Sequence, residues 1–329
     1  MAIGVGLVGY GGQFAMGKHH ADNVRKTDGL VLKGVFDVDP ARRDAAKTEQ
    51  PDVVVYDTFE ALLDSADIEL VVLITPHDTH APLSIAASNA GKHVLTEKVM
   101  CLNVAECDAM IAAAKKTGKC LSVYQNRRLD GDYLTVKKQI ESGTLGNLFS
   151  IESSVNGYWF PAGWRGVKKS GGGMLYDWGA HLTDQLVQLM LPARPVSVYA
   201  NFHYGGHDVD VETQTTVSIR FDNGVMAQID VGCVSWLTRP RWLVRGEKAA
   251  VLMPDWETCT LRGMLNGSEQ QMSIPVEASA WERFYPALSA HLNDGAPLPV
   301  DPTEVRIALS VIDAAFESGR TGRSVEIAP

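Results

Sequence analysis

Short apolar runs alternate with helical repeats along the first 125 residues. Runs at 3–8, 31–36, 53–55, 70–74, 93–95 and 120–123 read as strands. Between them, 19–26, 41–47, 83–90 and 104–116 carry helical patterns. Asp39-Pro40 supplies an N-cap followed by proline at the first helical position, and Asn103 with Glu106 has the spacing of a capping box. Strands alternating with helices through short loops imply right-handed crossovers and a parallel sheet.

After a helix around 132–141 the period changes. Thr215, Val217, Ile219 and Phe221 alternate with more polar residues, Asp222-Asn223-Gly224 turns the chain, and Val225, Ala227, Ile229 and Val231 resume the alternation. That is a hairpin with one buried face. A second hairpin is expected to turn at Gly246. A largely antiparallel sheet with helices on one face follows for this half. A long amphipathic helix is expected over 301–318, stopping before Gly319, with Val305, Leu309, Ile312 and Phe316 as its core stripe.

With 329 residues the chain exceeds the size at which a single core stops growing, so two domains are expected, 1–125 and 126–329. A net charge of -9, with no basic tract, argues against nucleic acid as the ligand. The five cysteines lack paired spacing and point to reduced thiols. No signal peptide is evident, and no apolar run approaches the roughly 20 residues of a membrane span. A cytoplasmic address is therefore expected, with no membrane partner.

The first strand leads into Gly9-Tyr10-Gly11-Gly12-Gln13-Phe14-Ala15 and then a helix. Gly9 permits a tight turn, and Gly11 lets backbone approach a pyrophosphate at the helix N-terminus. The third position of such a fingerprint is irregular: Phe14 stands where glycine or alanine packs helix on strand, which a local insertion would explain. The second strand ends at Asp37, whose carboxylate suits the ribose hydroxyls of NAD and repels the 2′-phosphate of NADP. Arg42 and Arg43 keep NADP open.

The densest chemistry lies in Gly171-Gly172-Gly173-Met174-Leu175-Tyr176-Asp177-Trp178-Gly179-Ala180-His181. On a helix, Asp177 and His181 share a face about a turn apart. A carboxylate can fix an imidazole's tautomer and stabilise its charged form, which suits a general base. An Asp–His pair at this spacing also occurs as plain helix structure. A metal site would need a third ligand at clear spacing, so none is expected. His19, His20, His203 and His207 read as surface or packing residues, and Arg127 and Arg128 as helix-start charges. Tyr158, Trp159, Phe160 and Trp178 fit either a sugar-stacking wall or core.

Taken together, the glycine-rich turn, Thr75-Pro76-His77-Asp78-Thr79-His80, Gly91-Lys92-His93-Val94-Leu95-Thr96-Glu97-Lys98, Asn126-Arg127-Arg128, Trp164-Arg165 and the Gly171-to-Asp184 stretch resemble the Gfo/Idh/MocA oxidoreductases over nearly the whole chain. The resemblance implies an α/β chain: an N-terminal Rossmann dinucleotide-binding domain, then a C-terminal α+β domain with a large, mostly antiparallel open sheet. It also implies that the second domain binds substrate and builds a homodimer or homotetramer. By the same resemblance Thr75, Pro76 and His80 line the cofactor crevice, and Glu97 and Lys98 lie near the nicotinamide. Lys98, Asp177 and His181 match a catalytic trio. Asn126 corresponds to a residue near nicotinamide or substrate, and Trp164-Arg165 to a pair reaching the cofactor or active site. One position departs from the pattern: Val99 replaces a proline that commonly follows a cis bond. A cis bond before valine costs about 2.5–4 kcal/mol, which weighs against that geometry here.

These readings converge on an NAD(P)-dependent dehydrogenase of a sugar, inositol or related polyol. A glycosidase acting by transient oxidation and a non-catalytic NAD-binding sensor are the alternatives, and reductive turnover is also open. Loops around 156–170 and 232–243 are expected to shape the pocket.

Overall fold

A computed structural model of the chain describes residues 2–11 and 13–327; Gly12 and the side chain of Gln13, both in the expected cofactor loop, lie outside what is described. The chain divides into two compact units, Met1–Gln125 with Glu282–Val305, and Asn126–Trp281 with Arg306–Pro329.

In the first unit β1 (Ile3–Val8), α1 (Met16–Arg25), β2 (Leu30–Phe36), α2 (Pro40–Glu49), β3 (Val54–Val55), α3 (Phe59–Asp64), β4 (Leu70–Leu73), α4 (His80–Asn89), β5 (His93–Thr96), α5 (Val104–Thr117) and β6 (Leu121–Val123) follow in turn. The strands form one sheet in the order β3-β2-β1-β4-β5-β6, all parallel. Val5, Leu7 and all of β4 are buried, as expected of parallel strands covered on both faces. Asp39 caps α2 and Asn103 caps α5, as the capping patterns predict. The short helix α3 has no counterpart in the sequence reading; Thr58 caps it through the Ala61 amide.

The second unit opens with α6 (Gly131–Glu141), β7 (Leu148–Asn156) and α7 (Ala180–Met190). It continues through β8 (Pro195–His203), β9 (Gln214–Phe221), β10 (Met226–Gly232), β11 (Trp242–Gly246), β12 (Ala249–Met253), β13 (Thr260–Leu265) and β14 (Ser268–Ser273). Next α8 (Phe284–Asp294) packs in the first unit, before α9 (Pro302–Thr321) and β15 (Val325–Glu326). The nine-stranded sheet runs β14-β13-β12-β11-β7-β10-β9-β8-β15. Among the described residues only β7 and β10 pair in parallel. Both expected hairpins are present, β9–β10 with Thr215, Val217, Ile219 and Phe221 buried, and β11–β12 turning just after Gly246.

The helix expected to stop before Gly319 instead runs on to Thr321. Gly319 is there for packing: a Cβ on it would come within 2.7 Å of the Phe202 ring. The left-handed residue that ends the helix is Gly322, at φ 68°.

All five cysteines are free thiols. No helix among the described residues is long and apolar enough to cross a membrane.

Candidate active site

The candidate residues fall into two sets, one in each unit. In the first unit they lie on the loops that leave the carboxyl edge of the parallel sheet. Strand order reverses there between β1 and β4, the switch point at which open α/β sheets bind ligands.

Gly9 follows β1 at φ 95°, and a Cβ on it would stand 2.2 Å from the Ile74 carbonyl oxygen. Around Gly11 a Cβ would meet no atom within 4 Å, leaving the space through which a phosphate could approach the backbone. Phe14 and Ala15 both take left-handed conformations, at φ 57° and 50°, before α1 begins at Met16. The irregular third fingerprint position is thereby resolved. Close packing of helix on loop falls to Gly17, whose added Cβ would lie 2.8 Å from the Tyr10 Cα. Phe14 does not pack helix on strand; it is 70% exposed.

Asp37 is buried at the end of β2. Its Oδ2 accepts the Tyr10 amide at 2.6 Å and its Oδ1 the Asp39 amide at 2.9 Å. The carboxylate therefore anchors the glycine-rich turn. Arg43 donates to the Asp37 and Val38 carbonyls. Thr75 and Pro76 follow β4 and are half-buried. His80 is fully buried, with Nδ1 2.7 Å from the Val99 oxygen and Nε2 2.9 Å from the Thr75 oxygen. It thus ties the loop after β4 to the loop after β5. Burial holds its pKa below the usual imidazole value against the pull of both carbonyls.

Glu97 and Lys98 follow β5. The Lys98–Val99 bond is cis, contrary to the expectation drawn from the cost of a cis bond before valine. Glu97 Oε1 meets the His20 Nε2 at 3.0 Å, and its Oε2 accepts the Lys98 amide at 3.0 Å. Burial opposes ionisation of Glu97, but the hydrogen bond and charge of His20, with Lys98, outweigh it and hold the carboxyl below its usual range. His20, open to a surface or a packing role, takes the second. It is fully buried, and its Nδ1 faces the Tyr285 hydroxyl on α8. The earlier half of the same sequence motif does other work. Lys92 donates to the Ser65 and Ile68 carbonyls, and His93 accepts the Cys120 amide, both before or at the start of β5.

In the second unit Asp177 lies in a π-helical turn, Leu175–Gly179, that runs directly into α7, where His181 is buried. Such wide turns concentrate at functional sites. Three contacts build the turn. The Arg165 carbonyl accepts the Gly173 amide at 3.0 Å, the Arg165 Nε lies 3.5 Å from Asp177 Oδ1, and Glu212 Oε1 accepts the Leu175 amide at 3.0 Å. A Cβ on Gly173 would stand 2.3 Å from Glu212, which is why this stretch admits glycine there. Burial pushes the Glu212 carboxyl up to about 7 against the Leu175 hydrogen bond. The Trp164 ring carries the Arg165 guanidinium at 4.4 Å, and the Trp178 ring packs edge-on against His181 at 6.0 Å.

Asn126 begins a 3-10 turn that Arg127 and Arg128 continue. Those arginines are more than helix-start charges. Arg128 makes a two-pronged pair with Asp184, at 2.7 Å on each oxygen, and Gln185 bonds the Arg127 carbonyl and Arg241. Among the described residues no group of three or more His, Cys, Asp or Glu could hold a metal.

Glu212, Gly17 and the role of His20 escape the sequence reading. Gly17 leaves a trace, a small residue in the first helical turn; Glu212 leaves none.

Comparison with known proteins agrees with this geometry. Residues 3–125 match the family model for the oxidoreductase family, NAD-binding Rossmann fold, and residues 133–252 match the GFO/IDH/MocA C-terminal domain. The chain is 28% identical to scyllo-inositol 2-dehydrogenase (NADP(+)) of Bacillus subtilis, covering 98% of this chain and 95% of that one. It is 28% identical to myo-inositol 2-dehydrogenase of Thermotoga maritima over 69% of this chain and 67% of that one. An NAD-binding protein from Listeria innocua superposes with a TM-score of 0.90 at 34% identity, covering 99% and 97% of the two chains. With its parallel sheet, its switch-point loops and both family domains, the chain belongs to the Gfo/Idh/MocA family of NAD(P)-binding oxidoreductases.

Proposed function

We propose that the protein is an NAD(P)-dependent dehydrogenase acting on a CH–OH group of a sugar, inositol or related polyol, with NAD the preferred cofactor. The observation that carries this reading is the position of Lys98. It follows β5 on the same carboxyl edge from which Gly9, Asp37 and Thr75 emerge, the edge where a dinucleotide binds. The residues present suit that cofactor: around Gly11 there is room for a pyrophosphate, and in this reading Asp37 serves as the ribose contact while Thr75, Pro76, His80 and Glu97 shape the crevice.

When bound, the nicotinamide supplies the hydride acceptor. The side chains manage the proton and the oxygen. His181 takes the hydroxyl proton, Asp177 balances the charge that forms, and Lys98 stabilises the developing alkoxide. Asp177 is held by Arg165, so its carboxylate is fixed before substrate arrives. The Glu97 contact to the Lys98 amide fixes the lysine's backbone. Asn126, Trp164 and Arg165 serve cofactor or substrate binding in this reading. The relatives named as inositol dehydrogenases support the substrate class.

The test is growth of reduced-nicotinamide absorbance on a panel of cyclitols, aldoses and simple glycosides with both cofactors. Lys98→Met and His181→Asn should each lower kcat by roughly 10²–10⁴-fold, the range of single acid–base or oxyanion groups. Dinucleotide affinity should change less than about threefold. Near-normal turnover in either variant refutes the roles. Glycoside cleavage without net cofactor reduction favours the glycosidase, and tight NAD binding with no turnover favours the sensor.

A further inference from the structure

We infer that a tryptophan-lined cavity in the second unit selects an uncharged, ring-form sugar or its glycoside, rather than a sugar phosphate, an amino sugar or an open-chain polyol. The inference rests on the proposed dehydrogenase reading for its link to chemistry, and on the cavity alone for the ligand class. The cavity holds about 590 Å³ and is lined by Trp159, Trp178, Trp256 and Trp281, together with Arg127 and Asp130. Its volume falls in the ~300–1,000 Å³ range of small-ligand pockets. Trp178 joins it to the candidate chemistry, since the same ring packs on His181 and directly follows Asp177.

Of the aromatic residues open to a sugar-stacking role, only Trp159 and Trp178 reach this cavity. Tyr158 stacks on the exposed Trp236 at 4.2 Å, and Phe160 packs on His207. Trp256 and Trp281 complete the wall from distant segments, at 40% and 43% exposure. Indole surfaces left open in a concave site are suited to the C–H face of a pyranose, with polar groups at the edge to meet its hydroxyls.

The charges decide between ligand classes. Asp130 is held by the Arg127 Nη1 at 3.0 Å and by the Trp281 Nε1 at 2.7 Å. Asp132, also in the lining, pairs with Arg241 and accepts from Trp242, while Glu277 pairs with Lys138. Three carboxylates and a single guanidinium border the space, and that guanidinium is already paired. A phosphate would find no spare cation there. A cationic ligand fares no better. The Arg127 guanidinium lies 4.3 Å from the Trp178 ring centre, and Arg241 lies 4.4 Å from that of Trp256. The lining carboxylates are already paired as well, Asp130 with Arg127, Asp132 with Arg241 and Glu277 with Lys138, so an ammonium finds no free counter-charge. A neutral ring meets neither penalty.

The test uses the full chain saturated with dinucleotide and follows tryptophan emission and heats of binding. The probes are methyl glycosides of glucose, galactose, mannose and xylose, with myo-inositol, glucose 6-phosphate, glucosamine and sorbitol as comparators. At least one neutral ring should bind tenfold or more tightly than the phosphate, the amine and the open-chain polyol. Trp256→Ala should weaken that binding about tenfold, and Trp256→Tyr should restore most of it. Trp256→Ala also removes the ring on which Arg241 rests, a contact that Trp256→Tyr keeps, and far-ultraviolet circular dichroism checks each variant's fold. Preference for the phosphate, the amine or sorbitol overturns the inference, as does failure of every neutral ring to bind, or unchanged affinity in a folded Trp256→Ala. Cofactor reduction is recorded in the same samples. Ring binding without reduction upholds the cavity and removes the dehydrogenase reading. Reduction driven by sorbitol, unaffected by Trp256→Ala, does the reverse.

Discussion

Glu212 sits under the turn that carries Asp177, nine-tenths and more buried, with the Leu175 amide as its hydrogen-bond donor. Burial raises its carboxyl from 4.5 to about 7. A group whose folded pKa lies above its unfolded value favours the fold in its protonated form. Its contribution is complete below about pH 4.5 and is lost as pH rises through about 7. The swing is on the order of 3 kcal/mol. Thermal melts between pH 5 and pH 8.5 should therefore show stability from this site falling from pH 5 to about pH 7 and levelling off above it. Glu212→Gln keeps an oxygen for the Leu175 amide and has no charge to bury, so it should flatten that fall and be the more stable protein at pH 8.5. Parallel pH profiles for the two proteins would show that the carboxyl is ionised in the fold at little cost.

At the level of elements, what could be read from the chain was whatever a local pattern dictates. The strands of the first sheet and the β9–β10 and β11–β12 hairpins follow from apolar runs and period-two alternation, whereas β7, β8, β13, β14 and β15 went unread, β14 having no buried face to mark it. The caps at Asp39 and Asn103 follow from side chains two and three residues from their amides. What could not be read depends on partners far along the chain. His20 meets Glu97 across 77 residues and Glu212 meets Leu175 across 37. No periodicity marks such pairs. The candidate pair Asp177 and His181 was legible as a motif, but not the π-turn beneath it, since that turn is shaped by Arg165 and Glu212 contacts. The α1 start shows the same limit: a glycine needed for packing was displaced from its usual spacing to Gly17. Its requirement is testable. Gly17→Val places a branched side chain against the Tyr10 backbone, 2.8 Å from its Cα, where no flexible atom can yield. Overpacking of this kind costs roughly 1–3 kcal/mol, and it pushes on the turn that Asp37 anchors. Melting temperature should fall and dinucleotide affinity should weaken about tenfold. A variant as stable as the parent, with unchanged affinity, would mean that α1 shifts freely and that Gly17 has no part in shaping the loop.

For the whole molecule, the cofactor preference should appear as a difference in global stability. A ligand that binds only the folded chain stabilises it by RT ln(1 + [L]/Kd), about 2.7 kcal/mol at a hundredfold excess over Kd. At the end of β2 the Asp37 carboxylate is locked by two backbone amides, so it cannot swing away from a 2′-phosphate. Arg43, which could have received that phosphate, spends its guanidinium on the carbonyls of Asp37 and Val38, and Arg42 lies 4.0 Å from Asp39. NAD should accordingly bind at least tenfold more tightly than NADP, and equal concentrations of the two should separate in stabilisation by about 1.4 kcal/mol or more. Asp37→Asn keeps one oxygen to accept the Tyr10 amide but removes the fixed charge, so the gap should narrow, mainly through better NADP binding. Raising the salt to 1 M, where the screening length is about 3 Å, should narrow the parent's gap but not the variant's. If the parent is stabilised equally by both cofactors, or more by NADP, then the charge at Asp37 does not govern the choice. The two arginines would then have to release their carbonyl and carboxylate partners when the phosphate binds.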